Sequence, residues 1–421
     1  MKTQKVFLAA ITAALALVHV ASAQTAIYIS GAPATRKIWN IALYNTLVTD
    51  SGGATGIYKS YTGTSYNSAN QIVLTGGSIG GTPVTIYGSW TGSTGGNQSV
   101  ALDPQTNTAV KVGFIDPSTL SPTGGALATT DTNNFQYPVV NLSDTFQATT
   151  PFHGNVTVTS PHTTYDTLTE ASPTNPAITG FKFLANAGSP AAINNITTNL
   201  AQYFFTHAYT PLAFFTGNTA DRTTKVYPVG RDIASGARYI LLAESGIGTA
   251  NDTSLIQYEP AVSGTEITNI SANPSPAGTI NLIGFNQGNG GYPSFTKVLA
   301  VLSSNSTNTI GWIVTYVTDS DAITAEAAGA QELTWNGVAY GTAYEGANDT
   351  APVSIAEGNY TYWSYLHVYY DASNSATPAA AITLSGDLAS DLSTDTTTGA
   401  ILTSDVGVSR TQDGGGIAHT Y

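Results

Sequence analysis

Short strand-like runs dominate this chain, and helical periodicity surfaces only between some of them. That alternation constrains the fold more than any other feature. Residues 26–30, 71–74, 84–87, 110–115, 139–142, 225–229 and 310–317 are each enriched in β-branched or aromatic side chains and bounded by Gly, Pro, Asn or Thr. Helical spacing appears at 34–47, where Ile38, Ile41, Ala42 and Asn45 form one stripe beside Trp39, Leu43 and Leu47, and again at 193–205 and 235–244. The order strand, helix, strand, strand, helix predicts an α/β fold rather than a β-sandwich. Residues 101–137, rich in Asp, Thr, Pro and Gly, read as a loop-heavy insertion. The Ala/Ser/Thr/Asp-rich stretch 372–400 reads as surface loop around a short strand, and the aromatics of 360–370 alternate as in a buried strand or packed edge. There is no clean internal repeat and no Pro-rich linker.

Only 9% of the 421 residues are charged, against 42% hydrophobic, where an ordinary soluble domain is about a quarter charged. This balance is opposite to that of a disordered chain. It predicts a folded protein with a sizeable core and a surface of Thr, Ser, Asn, Gln, Gly and Tyr, a style suited to exported proteins. The N-terminus fits export. Lys2 and Lys5 precede an apolar run over 6–20, and Ala21-Ser22-Ala23 is a small-residue cleavage site, so residues 1–23 read as a signal peptide and the mature chain is expected to start at Gln24. The expected location is periplasmic or extracellular, including the cell surface, with the mature protein soluble. With no cysteine, neither disulfides nor lipid attachment through an N-terminal cysteine contribute, and stability must come from the core. The 13 Lys and Arg face 26 Asp and Glu. That excess of acid excludes nucleic acid, whose binding depends on neutralising phosphates, and anionic membrane surfaces. Any anion must be held by local donors.

Apart from Lys2 and Lys5, only 11 cations remain, and six of them cluster: Arg36 and Lys37 at one strand-to-helix turn, and Arg222, Lys225, Arg231 and Arg238 around another. The first turn is Gly31-Ala32-Pro33-Ala34-Thr35-Arg36. Free N–H groups at a helix start can hold an anion, and Thr35 can add a hydroxyl; an ordinary helix cap is the alternative. The second is Gly92-Ser93-Thr94-Gly95-Gly96, whose glycines let backbone approach a ligand closely; a surface loop is the alternative. The third runs Arg231-Asp232-Ile233-Ala234-Ser235-Gly236-Ala237-Arg238. Here Arg231 can fork onto two oxygens of a tetrahedral anion, with Ser235 and the N–H groups of Gly236 and Ala237 at the helix start; a surface Arg–Asp pair is the alternative. Between the second and third turns, Ser143-Asp144 follows a strand. A carboxylate beside an anion accepts a proton that anion still carries and repels a fully ionised one, so Asp144 would favour phosphate over sulfate.

These four turns, in order, resemble those of the phosphate-binding proteins of bacterial phosphate ABC transporters and the wider family of phosphate-binding-protein-like exported proteins. Ile310-Gly311-Trp312 with Asp319-Ser320-Asp321-Ala322 resembles the family's late return strand. The resemblance implies a two-lobed, periplasmic-binding-protein-like fold with a ligand cleft between the lobes. It implies phosphate contacts by Thr35, Arg36, Ser93, Asp144, Arg231, Ser235, Gly236 and Ala237. Ala237 stands where the family often has Thr, Arg36 where an aromatic is usual, and the interval from Ser93 to Asp144 is longer. By the same likeness, lobe I would comprise 24–165, including the insertion, completed by 346–421, and lobe II would comprise 166–345.

The reading is therefore an exported solute-binding-type protein for phosphate or a similar oxyanion, with an ABC transporter or cell-surface components as partners, and not an enzyme. The alternative is a structural or adhesive surface protein reusing the fold. Other motifs give little. Gly76-Gly77-Ser78-Ile79-Gly80 matches a nucleophile elbow, as a Gly/Ser-rich stretch does by chance. No histidine pair has metal-ligand spacing, and Asp319-Ser320-Asp321 lacks the rest of a calcium loop. No metal or cofactor is expected.

Overall fold

The computed structural model describes residues 24–101, 110–156, 163–272, 290–343 and 350–420. The signal segment and part of the insertion, 102–109, lie outside the described residues. Each strand-like run named above that falls within them forms a strand, with boundaries moved by a few residues. The main path of a fifteen-stranded mixed sheet contains β1 (Thr25–Gly31), β2 (Tyr58–Thr62), β3 (Gln71–Ile79), β4 (Thr82–Ser89), β5 (Gly125–Leu127), β6 (Val140–Ser143), β7 (Ala177–Ala185), β8 (Thr210–Pro211), β9 (Lys225–Pro228), β10 (Trp312–Thr318) and β11 (Trp363–Tyr370). Their order across the sheet is β8-β9-β10-β7-β11-β6-β1-β4-β3-β2-β5. β1 is parallel to β4 and β6, and β9 is parallel to β10, as strand–helix–strand connections produce. The α/β class expected from the sequence is the one observed.

β7 joins the two halves. All nine of its residues are buried. Ala177–Gly180 pairs antiparallel with β11, while Phe181–Ala185 pairs with β10. Apolar side chains gather in two large cores on either side of this handover. One contains Ile27, Trp39, Leu43, Ile86, Leu142 and Leu388. The other is richer in rings, with Phe181, Phe183, Phe205, Tyr239, Tyr316 and Trp335. Residues 351–365 contribute to this second core. The molecule is thus two-lobed, one continuous sheet serving two cores.

Among the helices, α1 (Arg36–Asp50) buries Ile38, Trp39, Ala42, Leu43 and Leu47. Its seam runs through Trp39 and Leu43, and Ile41 and Asn45 lie at its half-buried margin. α2 (Ser93–Val100), α3 (Thr198–Thr206), α4 (Gly236–Glu244) and α5 (Asp319–Ala327) follow. The largest departure from expectation is α6 (Ala379–Leu392), in the stretch read as surface loop. Ala380, Leu384, Leu388 and Leu392 recur every four residues and are buried, against α1 and the sheet. Gly386, Asp387 and Asp391 obscure that stripe in the sequence, and Asp391 accepts a hydrogen bond from Thr46 Oγ1 of α1 at 2.8 Å. No described helix is long and apolar enough to cross a membrane.

Candidate functional site

The four sequence-marked turns lie against one another at the C-terminal ends of parallel strands, where the first half of the sheet meets α4. β1 ends at Gly31, which has no room for a side chain: a Cβ there would lie 2.6 Å from Leu142 O. Ala32 N donates to Leu142 O at 2.9 Å, tying the first turn to the strand that leads to Asp144, and Gly92 N donates to Gly31 O at 2.9 Å, tying it to the second turn. Thr35 occupies the cap position of α1, yet its hydroxyl caps nothing. The side chain is buried and Oγ1 has no hydrogen-bond partner among the described residues. The ordinary-cap reading of this turn therefore fails. Arg36 folds back on the turn: Nη1 donates to Pro33 O at 2.5 Å, Nε to Ser68 O at 3.1 Å, and Nη2 is 3.7 Å from Asp321 Oδ1.

The second turn opens α2. Ser93 Oγ donates to Asp144 Oδ1 at 2.5 Å, and Asp144 N donates back to Ser93 Oγ at 3.1 Å. The next two amides, Thr94 N and Gly95 N, both donate to Ala234 O of the third turn at 3.1 Å. Gly92 has φ +130°, and a Cβ there would lie 2.0 Å from the same Ala234 O, so glycine is required twice over. Thr94 Oγ1 is buried without a partner. The surface-loop reading of this turn fails as well.

In the third turn Arg231 is fully buried and Asp232 nearly so, which removes the surface-pair alternative. The guanidinium does not present its whole fork. Nε donates to Tyr292 O at 2.9 Å and Nη2 to Pro293 O at 3.1 Å, and the group lies 4.4 Å over the Phe295 ring. Nη1 is left with no partner. The expected two-oxygen grip thus gives way to a single Nη1 group. The turn is fixed from behind, since Arg231 O accepts from Arg238 Nη1 and from Gln257 Nε2, each at 3.1 Å. Ser235 stands at the cap position of α4 without a side-chain cap bond. A Cβ on Gly236 would lie 2.0 Å from Asp144 Oδ1 and 2.9 Å from Ser93 Cβ. Ala237 is packed into the second core.

Ser93, Asp144 and Gly236 are therefore in direct contact, and Thr35 and Arg231 flank them through the joined turns. Arg36, Ser235 and Ala237 are next to these positions in the chain, but Arg36 is committed to the first turn and Asp321. Burial pushes the Asp144 carboxyl up to about 6, although the Ser93 hydroxyl and the Arg231 charge pull it back down. Burial likewise raises Asp232 and Asp321, opposed by Arg231 with Arg238 for the first, and by Arg36 with Arg231 for the second. Arg231 itself is pulled down by burial. The locus holds charge of both signs in a water-poor interior, and its unmatched atoms include the donor groups Thr35 Oγ1, Thr94 Oγ1 and Arg231 Nη1 and the acceptors Asn141 Oδ1, Gln257 Oε1 and Asp413 Oδ1. Buried polar groups ordinarily find partners, and each one left without costs about 1–3 kcal/mol.

Several contributors carried no sequence signal. Asp413, near the C-terminus, accepts from Thr145 Oγ1 at 2.6 Å and from Phe146 N at 3.0 Å, bracing the chain after Asp144. Ser364 Oγ donates to Asp144 O at 2.6 Å. Tyr292 and Pro293 hold Arg231 from about sixty residues away. Thr94 lies inside the second turn, where the resemblance points to its neighbour Ser93 instead. Elsewhere, Ser78 sits in the β3–β4 hairpin, where its N–H donates to Ser51 Oγ at 2.9 Å, so the elbow motif lacks its strand-to-helix setting. Among the described residues no group of three His, Cys, Asp or Glu side chains could hold a metal ion.

No family model and no curated protein matches the chain. Solved structures with some likeness include PstS from Borrelia burgdorferi, at 10% identity and a TM-score of 0.33, covering 83% of this chain and 87% of that one. A possible phosphate binding protein from Planctomyces limnophilus is 10% identical at a TM-score of 0.34, covering 83% and 82%. A phosphate-binding protein from Stenotrophomonas maltophilia is 12% identical at 0.32, covering 83% and 79%. Superpositions this loose leave the functional reading to the chain's own geometry.

Proposed function

We propose that this is an exported solute-binding-type protein that holds a tetrahedral oxyanion, inorganic phosphate, where its two lobes meet. One lobe would comprise 24–165 with 346–421 and the other 166–345, although 351–365 pack into the second core. The observation that carries the reading is that the joined turns leave three buried donor groups unmatched, Thr35 Oγ1, Thr94 Oγ1 and Arg231 Nη1. An oxyanion supplies acceptors to all three without adding side chains. Ser93, Ser235 and the N–H of Gly236 stand beside them. Arg36 braces the first turn, and Ala237 contributes at most its backbone N–H.

Asp144 sets the selectivity. Above about pH 6 it is ionised, so it accepts a proton from a partly protonated phosphate and repels sulfate. Because most of the local charge is already balanced inside the protein, binding is by short-range donors. Calorimetric titration of the purified mature chain at neutral pH tests this: heat with phosphate and none with sulfate supports it.

A second reading, a structural or adhesive surface protein, has its own support. The turn amides Thr94 N and Gly95 N are already occupied by Ala234 O, so the turns lock onto each other without a ligand. Absence of any phosphate heat, together with assembly of the protein into filaments or a surface layer, would favour that reading. An ABC transporter partner belongs to the first reading and cell-surface components to the second.

A further inference from the structure

Into the second core, α3 buries Ala201, Phe204 and Phe205. Its opposite face carries Asn199, Gln202, Tyr203 and Thr206, spaced i, i+3, i+4 and i+7. With His207 they line an open cavity of about 490 Å³ whose lining, among the described residues, includes no Lys, Arg, Asp or Glu. Tyr203 stacks on the His207 ring at 4.1 Å and 14°, and it also meets Phe214 at 5.5 Å and 40°. Phe214 is 58% exposed and Tyr203 39%. Phe214 in turn lines a second cavity of about 400 Å³, with Asn218, Thr219 and Arg222 on its walls. A row of three rings therefore bridges two open cavities furnished with amides and hydroxyls.

Exposed rings gathered in one place mark a binding surface, and the lining selects the occupant. A lipid or other purely apolar ligand would cover Asn199 and Gln202 without giving their amides partners. A strongly charged ligand finds no counter-charge among the described residues of the first cavity. A saccharide matches both chemistries: its C–H faces pack on aromatic rings, and its hydroxyls both donate to and accept from amide and hydroxyl groups. Thr206 Oγ1 is already engaged, donating to Gln202 O at 2.6 Å and lying 3.0 Å from His207 Nδ1, so the side-chain amides of Asn199 and Gln202 are the groups on this wall that a sugar hydroxyl would meet.

We propose that the His207–Tyr203–Phe214 row is a saccharide-binding site, independent of the oxyanion locus, in which successive sugar rings of a short chain occupy the two cavities. The test is calorimetric or NMR titration of the mature protein with cellotetraose, chitotetraose and maltotetraose. At least one is expected to bind with Kd near or below about 1 mM. Phe214→Ala, at an exposed position that leaves the core intact, and Gln202→Ala should each weaken that binding by about tenfold or more, a loss of about 1.4 kcal/mol. Circular dichroism should report an unchanged fold in both variants. Failure of all three saccharides to bind below about 10 mM, or binding that both variants retain in full, would overturn the proposal.

Discussion

Lys182 and Arg231 are both cations drawn into the second half of the molecule, and the chain treats them in opposite ways. Lys182 projects from β7 among three carboxylates, with Nζ 2.9 Å from Glu332, 3.3 Å from Glu326 and 3.4 Å from Asp319. Burial pulls its pKa down, but the hydrogen bond to Glu332 and the three negative charges outweigh burial and leave it raised. Arg231 has carbonyls and a ring as its direct partners, with Asp232, Asp144 and Asp321 acting on its charge without pairing to it. Among the described residues it forms no ion pair, and burial prevails and lowers its pKa. A cation saturated by carboxylates from its own chain is finished as a structural element. A cation buried with an unmatched nitrogen has capacity left for an anion. The difference teaches that burial of charge alone does not mark a site; an unmet donor does.

That contrast can be broken experimentally, beginning with Asp144, the acid that meets the Arg231 charge across the site. Its carboxyl is raised from 3.8 to about 6, so the unfolded chain ionises first. This group therefore contributes nothing below about pH 4, destabilises progressively as pH rises through 6, and reaches a plateau above it. Asp144→Asn should remove that slope, gaining about 3 kcal/mol relative to the parent between pH 4 and pH 7, since one pKa unit is about 1.4 kcal/mol. Urea unfolding at the two pH values checks it, and parallel curves for the two proteins would refute it.

Next in size, Arg231→Ala should weaken phosphate binding by about 1.5–3 kcal/mol through loss of a charged donor, whereas Lys182→Ala should leave affinity within about twofold. Titration of both variants reads the contrast directly, and equal losses would erase it. Gly92→Ala tests the contact between the second and third turns. The positive φ and the clash with Ala234 O should lower stability by about 1–3 kcal/mol, read as a drop in Tm. The smallest effect belongs to Lys182→Met. The partners of Lys182 are partly exposed, with Asp319 at 38% of its side chain, so solvent screening limits the loss to about 1 kcal/mol and makes it fade with added salt.

The parts of the fold and the site that were legible in the sequence share a local cause. β1, the first turn and α1 are marked by apolar period and small residues within about twenty positions, and the same holds for β9, the third turn and α4. β7 escaped notice because Gly180 and Lys182 interrupt its apolar run. Both have tertiary explanations: a Cβ on Gly180 would lie 2.3 Å from Tyr340 OH, and Lys182 is met by its three acids. α6 escaped because Asp and Gly sit between its buried leucines. At the site, Thr35, Ser93, Asp144 and Arg231 stand out by type and position. What each does with its atoms was not readable. That Arg231 spends Nε and Nη2 on Tyr292 and Pro293 depends on a segment sixty residues later, and Asp413 reaches the chain after Asp144 from more than 260 residues away. Local pattern places a donor; only the folded chain decides whether it is already used.

On the proposed reading an oxyanion satisfies the buried donor groups left unmatched on the joined turns, and the Asp144 carboxylate selects a protonated anion. Titrating the mature protein with phosphate and with sulfate at pH 7.5 and at pH 5 tests it most directly. Phosphate is expected to bind at pH 7.5 with no sulfate binding, and sulfate to bind detectably at pH 5, where Asp144 is protonated. No phosphate binding at either pH, or equal binding of both anions at pH 7.5, would contradict it.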